Sequence, residues 1–404
     1  MGEIDRWAEI HPDILNEIAK RFHSYDDHIS LGLVCKEWSL KLRSKEISWL
    51  LLPDETFKPS FDQEEEEIYS LMHLPVTGED TLKTKLKVLE EKGVYHALLP
   101  DMQMLDILIR GSCYGWLITL TLSEGKMQMI DPLTHMNFDL PPVSTFPNII
   151  EYIHEDDEYT MLDFHDEIST LDRDGMHKVQ VWKVVINSPP DVDNKDFMAV
   201  AIYGAPRRLA FYKPNNKRWL DFTRSTSLED VIFFKEKIYA VNYDGELYEF
   251  DTNTESGNVG GIHAAPPIGY KASTSKLKYL IGCSNGNILM LVRHYGYLRG
   301  IDKDPVTKRF DIYELRKGSK KWSRLHNLGN YIVLIGFNSS IQMLPSNLFG
   351  KGNQIYYTDN LIEIKSTDFP TTRDIGIFDL KDRIFRRILP DIKFFCPPVW
   401  CYPN

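Results

Sequence analysis

The chain has 404 residues, of which 43% are apolar and 26% charged, with a formal charge of −11. This is the composition of a folded, water-soluble chain rather than a disordered one, and the acidic excess argues against a general nucleic-acid or anionic-membrane binder, which needs a basic footprint. No apolar run approaches the roughly 18 residues of a membrane-spanning helix. The N-terminus, MGEIDRWAEI, lacks the basic and apolar regions of a secretory signal, so the expected location is the cytoplasm or the nucleus. The five cysteines, Cys35, Cys113, Cys283, Cys396 and Cys401, are an odd number at irregular spacing, which is neither a disulfide framework nor a zinc motif.

In chain order, Trp7–Ser44 comes first and reads as helix. Ile14, Ile18 and Phe22 recur at four-residue steps with Leu15 beside them, and Leu31, Val34, Cys35, Trp38 and Leu42 repeat the pattern at steps of three and four. Pro12 stands where a first helical turn accepts it. Fewer than about 40 residues rarely fold alone without a metal, a disulfide or a partner. Each of these aliphatics contributes about 1.5–3 kcal/mol when fully buried. The surplus apolar surface therefore implies a docking face; the plainer alternative is a three-helix cap on a larger domain.

Ile10-His11-Pro12-Asp13-Ile14-Leu15, then Ile18, Arg21-Phe22 and Val34-Cys35-Lys36-Glu37-Trp38, resemble the F-box, the trihelical motif that binds a Skp-type adaptor in cullin-based ubiquitin ligases. The resemblance implies adaptor binding through Pro12, Ile14, Leu15, Ile18, Val34, Cys35 and Trp38. The chain departs from the family pattern at His11, where Leu is usual before the proline.

Residues 46–90 read as a linker and entry to the next domain: Trp49–Pro53 is apolar, and Glu64–Glu67 is an acidic run of the kind found in solvated loops. From about residue 91 the pattern becomes short aromatic and β-branched runs punctuated by Gly, Pro, Asn or Asp, as in many short strands joined by tight turns. Gly111–Leu120 can be laid on Gly282–Leu291, which begins 171 residues later, with Asp244–Phe250 as a weaker third copy. That offset is close to four units of about 43 residues, the period of four-stranded propeller blades. One glycine per unit gives Gly115, Gly204, Gly245, Gly286, Gly329 and Gly376, and the long first gap leaves room for a seventh unit. Met129–Thr134, Tyr248–Asn253 and Gly376–Leu380 each place a strand before an Asp-initiated turn. Trp182, Trp219 and Trp322 are expected to pack between sheets, and Phe395–Trp400 to complete the last sheet and close the ring.

Cys113–Leu117, Leu140-Pro141-Pro142, Leu209-Ala210-Phe211 with Trp219, Glu229–Phe234, Tyr239-Ala240-Val241, Asp244–Tyr248 and Asn353–Asp359 resemble a plant F-box family whose C-terminal part is a KIB-type propeller, also called domain of unknown function 295. The expected fold is thus mainly β: a β-propeller of about seven blades over residues 91–404, preceded by a small all-α F-box domain over residues 1–45. The resemblance implies a substrate receptor whose helices hold a Skp-type adaptor, and through it a cullin ligase, while the propeller holds a protein target. No cofactor, nucleic acid or membrane is implied. A scaffold that engages no adaptor is the alternative.

Enzyme-like patterns are weaker. Gly282-Cys283-Ser284-Asn285-Gly286 matches the G-x-S-x-G nucleophile elbow, with Asp302 or Asp311 and then His326 downstream in hydrolase order. An elbow needs a helix after the serine, whereas Ile288–Val292 reads as strand. His154, Asp156, Asp157, His165 and Asp166 match neither a zinc nor a calcium spacing and read as an acidic surface loop. Gly111–Gly115 lacks the Gly-Lys-Ser/Thr ending of a phosphate loop, and Arg207-Arg208 are too few for a nucleic-acid patch.

Overall fold

The computed structural model describes residues 11, 14–15, 49–53, 68–72, 94–98, 107–131, 136–163, 167–190, 197–223, 227–252, 262–296, 306–336, 339–345, 351–358, 371–372, 374–387, 393–394 and 399–401. Strands dominate them. Strands β1 (Trp49–Pro53), β2 (Ile68–Met72) and β3 (Val94–Leu98) come first. Blade 1 follows with β4 (Ile107–Cys113), β5 (Trp116–Thr121), β6 (Met127–Ile130) and β7 (Asn137–Leu140). A three-stranded sheet of β8 (Ile149–Ile153), β9 (Glu158–Leu162) and β10 (Ile168–Asp172) then leads into the short helix α1 (Arg173–Val179). Blade 2 is β11 (Val181–Ile186), β12 (Ala199–Tyr203), β13 (Arg208–Tyr212) and β14 (Leu220–Thr223). Blade 3 is β15 (Leu228–Phe234), β16 (Lys237–Asn242), β17 (Leu247–Asp251) and β18 (Ile262–Ala264). Blade 4 is β19 (Lys276–Gly282), β20 (Ile288–Gly296), β21 (Val306–Leu315) and β22 (Trp322–Leu325). Blade 5 combines β23 (Ile332–Ile335), β24 (Ile341–Met343), β25 (Gln354–Tyr357), β27 (Gly376–Asp379) and β28 (Ile384–Arg387), while β26 (Thr371–Thr372) pairs with β29 (Lys393–Phe394). The last strand, β30 (Val399–Cys401), pairs antiparallel with β1 and so joins the sheet β3-β2-β1-β30.

The innermost strands pack in sequence, β4 on β11, β11 on β15, β15 on β19 and β19 on β24, and β30 returns to β4. Tyr356 of β25 meets Trp400 of β30 edge to face, with ring centroids 6.1 Å apart. The chain therefore closes a ring by adding its C-terminal strand to a sheet built from its early strands, which leaves only short protected edges. The expected closure by the C-terminal segment holds for Val399–Cys401, which pair with β1 and so complete the sheet of the early strands where the last sheet was expected; residues 395–398 lie outside the described residues. Blade 5 departs from a simple meander, since β23 and β25 run parallel.

Seven sheets of three to five strands are present among the described residues, and six of them supply the inner strands of the ring, one fewer than the expected seven blades. The β8–β10 sheet is absent from the succession of inner strands: β4 packs directly against β11, and a Cβ on Gly111 would meet the Val184 carbonyl oxygen at 2.1 Å. Residues 141–180 are an insert between blades 1 and 2. The insert also touches blade 2 through Trp219, which stacks on Phe146 at 4.9 Å and donates its indole N–H to the Pro141 carbonyl at 2.9 Å. Alternating β-branched and aromatic positions fill the wedges between sheets, one apolar cluster spanning blades 1 to 3 and others lying between blades 3 and 4 and between blades 4 and 5. Trp219 and Trp322 are buried as expected.

Candidate partner-binding site

Side chains on three consecutive inner strands carry buried charge. Lys183 of β11 forms an ion pair with Asp230 of β15 at 2.5 Å. The other oxygen of Asp230 accepts the Leu280 amide of β19 at 2.6 Å. Lys278 of β19 pairs with Glu229 of β15 at 2.8 Å and donates to the Tyr243 carbonyl at 2.8 Å. Burial pushes the carboxyls of Asp230 and Glu229 above the usual range, while their lysine partners oppose that push; burial likewise lowers the Lys278 ammonium. A buried carboxylate with every oxygen engaged fixes the relative height of three blades, because its hydrogen bonds reach neighbours on both sides. Farther round the ring, Arg293 of β20, fully buried, donates to Thr307 at 2.7 Å, to the Thr358 carbonyl at 2.5 Å and to Asp374 at 3.1 Å.

Above this belt, on the face where the inner strands begin, four elements enclose a cavity of about 560 Å³, a size suited to one or a few side chains. The end of α1 supplies Lys178 and Val179. Blade 2 supplies Trp182 and the Gly204–Arg207 turn between β12 and β13. Blade 3 supplies Ser227, Glu229 and Tyr243, and blade 4 supplies Thr274, Lys276 and Leu277. The turn depends on Gly204, whose φ of +68° belongs to the left-handed region. Arg207 lies flat on Trp182, its guanidinium carbon 3.4 Å from the ring centroid, a cation–π contact worth about 0.5–2 kcal/mol. Burial lowers the Arg207 pKa, and the nearby Glu229 charge raises it.

The insert forms one wall of this cavity, and its docking combines apolar contacts of the buried Val143, Phe146, Tyr159 and Met176 with buried polar ones. His177 of α1 is fully buried, hydrogen-bonded at 2.5 Å to the Leu122 carbonyl in the β5–β6 turn and at 2.7 Å to the Tyr159 hydroxyl. Asn148 and Gln180 bridge the two ends of the insert at 2.6 Å. Asp172 caps α1 by accepting the Gly175 amide at 2.7 Å.

Of the expected adaptor-binding residues, the described part includes Ile14 and Leu15. Both amides donate to the His11 carbonyl, at 3.0 and 3.2 Å, and their backbone is helical. Ile14 is 57% exposed, whereas Leu15 is fully buried. Pro12, Ile18, Val34, Cys35 and Trp38 lie outside the described residues, as does the rest of the expected helical domain. The hydrolase alternative fails on context: Ser284 sits in the exposed turn of the β19–β20 hairpin, with strand on both sides and no helix after it. Asp311 is engaged elsewhere, by His294 at 2.7 Å and Arg324 at 2.7 Å, and the His294 hydrogen bond holds its carboxyl below the usual range. Among the described residues no group of three potential ligands is placed to hold a metal; His165 and Asp166 lie outside them. Sequence reasoning missed the cavity itself. Trp182 reads as core, and it does pack against the core cluster, but it also carries Arg207 and lines the cavity. The available signal was a tryptophan and an arginine flanking one hairpin.

A family model described as the KIB1-4 β-propeller matches residues 86–379. The chain belongs to the KIB1-4 β-propeller family. A putative F-box protein of Arabidopsis thaliana is 20% identical to this KIB1-4 propeller chain over 98% of its length and 97% of the relative's. A second F-box protein of that plant is 19% identical over 97% of the chain and 93% of its own, and a third, putative one is 21% identical over 93% and 91%. The resemblance to plant F-box proteins with a KIB-type propeller therefore extends along nearly the whole chain, and this combination marks a protein-interaction role.

Proposed function

We propose that this KIB1-4 propeller chain is the substrate-recognition subunit of a Skp-cullin-F-box ubiquitin ligase in the cytoplasm or nucleus. The observation that carries the reading is the end-to-end match to relatives named F-box proteins, combined with a ring that closes its own core and opens a cavity on one face. Residues 1–45 hold the Skp-type adaptor and the propeller holds a protein target, so ubiquitin transfer by the partners gains from high effective concentration. The transfer chemistry belongs to those partners; this chain supplies geometry and choice.

Co-purification with a plant Skp-type adaptor tests this. The wild-type chain should retain the adaptor, and Ile14→Asp and Trp38→Ala should each weaken capture by at least about tenfold, the effect of losing a central interface anchor, while the propeller's thermal transition stays in place. A wild-type chain that retains no adaptor overturns the ligase reading and leaves a protein-interaction scaffold.

A further inference from the structure

The cavity on the propeller face has a charge balance opposite to that of the whole chain. Two of its charged side chains are matched internally: Lys178 pairs with Asp174 at 2.5 Å, and Glu229 pairs with Lys278 at 2.8 Å. Arg207 and Lys276 remain. Lys276 stands 4.9 Å over the Tyr270 ring and donates to the Lys271 carbonyl, a neutral partner. The Arg207 guanidinium is stacked on Trp182 and hydrogen-bonds to none of the described residues. Stacking occupies the face of a guanidinium and leaves its N–H edge, the part that grips carboxylate or phosphate, unused. The Ser227 and Thr274 hydroxyls, both exposed at the same cavity, also bond to no described residue. In a chain of net charge −11, this is a local concentration of unused donors.

We infer that this pocket receives an anionic side chain of an extended target peptide, a carboxylate or a phosphate, gripped by Arg207 and Lys276. A neighbouring apolar residue of the peptide packs on Val179 and Leu277. Val179, 41% exposed, and Leu277 give the same cavity an apolar part beside its charged side chains, and that combination suits a side chain presented on a peptide better than a free anion. Partial desolvation strengthens the contact, because a charge-assisted bidentate pair gains as water is excluded. Glu229 does not defeat it: its carboxylate is committed to Lys278.

The inference rests on reading the propeller as the target-holding end, and a direct binding assay separates the two. Degenerate peptide arrays with Asp, Glu, phosphoserine, Gln or Lys fixed at the centre are probed with the full chain. Retention on an anionic sublibrary at least about tenfold above Gln is expected, with loss in Arg207→Gln, a smaller loss in Lys276→Gln and partial recovery in Arg207→Lys. Preference for Asp and Glu alone identifies a carboxylate ligand, and preference for phosphoserine alone identifies a phosphate. Equal retention of Gln and Glu, preference for Lys, no retention on any array, or full retention by a folded Arg207→Gln chain overturns the inference. Should Arg207→Gln fail to fold, Lys276→Gln decides by the same criterion. Adaptor capture from the same preparations is scored in parallel: a failed array with the adaptor still bound removes only the pocket assignment, and the reverse removes only the ligase reading.

Discussion

The ring and its insert are held together in different ways. Between blades 2, 3 and 4 the inner strands share an apolar wedge and a belt in which Asp230 binds Lys183 on one side and the Leu280 amide on the other. The insert sheet is half solvated, with Ile168 71% exposed and charged residues along β8 to β10, and the insert is attached through the hydrogen bond of His177 to the β5–β6 turn and through Val143, Phe146 and Met176, which join the core cluster of blades 1 to 3. The ring is thus tied by buried charge, whereas the insert reaches the cavity as a wall fastened at one edge, because α1 brings both His177 and the cavity residues Lys178 and Val179. Segments whose backbone hydrogen bonds lie in solvent-exposed strands, as in β8 and β10, open at lower free energy than the global fold.

The largest expected effect breaks the frame. Replacing Asp230 by Ala removes one partner of a buried ion pair, leaves Lys183 charged among apolar neighbours and orphans the Leu280 amide. The cost should be about 3–5 kcal/mol of global stability, read as a lowered midpoint in denaturant unfolding. The double variant Asp230→Leu with Lys183→Met should recover most of that loss, because two apolar groups of similar size leave no uncompensated charge. If the single variant unfolds with the wild-type midpoint, the belt does not tie the blades.

A smaller effect should separate insert from ring. Gly125, in the β5–β6 turn, has a φ of +64°, and a Cβ there would lie 2.4 Å from the His177 ring. Gly125→Ala combines a strained backbone with a clash, so about 1–3 kcal/mol should fall on the contact between α1 and blade 1. Amide exchange should accelerate across residues 141–180 while the blade 3 and blade 4 strands keep wild-type protection. Equal acceleration in both would mean that insert and ring open as one unit.

The same contrast explains what the sequence disclosed. Gly111–Leu120 and Gly282–Leu291 were recognisable as copies because both are the first hairpin of a blade, β4–β5 and β19–β20. The glycine ladder is less uniform than its spacing: Gly115 and Gly286 serve first hairpins, Gly204 and Gly245 serve second turns, and Gly376 lies inside β27. Counting by period therefore absorbed the insert, which fills the long gap before Gly204 without entering the ring. The cavity was illegible for a different reason. It gathers side chains from residue 178 to residue 277 across four elements, and no local periodicity links Trp182 to Lys276. Arg207-Arg208, too few for a nucleic-acid patch, turn out to act singly, Arg207 on Trp182 and Arg208 on the Asp163 carbonyl at 3.2 Å.

The finest test of the comparison is acidification. Burial lowers the His177 pKa from its ordinary value of 6.5, with the Arg173 charge adding to that effect and the Leu122 carbonyl, Asp157 and Asp174 opposing it. The hydrogen bonds agree with a neutral ring: Nδ1–H donates to the Leu122 carbonyl and Nε2 accepts the Tyr159 hydroxyl proton, that hydroxyl being itself pushed up to about 12 by burial. Protonation would put a second N–H against a hydroxyl already donating. With the folded pKa below the unfolded one, an opened insert binds a proton that the closed insert refuses. The contribution of His177 is therefore complete above about pH 6.5 and is lost as pH falls below that value toward the folded pKa. Amide exchange in residues 141–180, corrected for its intrinsic pH dependence, should show opening that becomes easier between pH 7 and about pH 5, with little change in the blade 3 strands. His177→Gln should open more readily at every pH and lose that dependence. A wild-type insert whose opening is flat across this range would show that the ring of His177 is not what fastens it to blade 1.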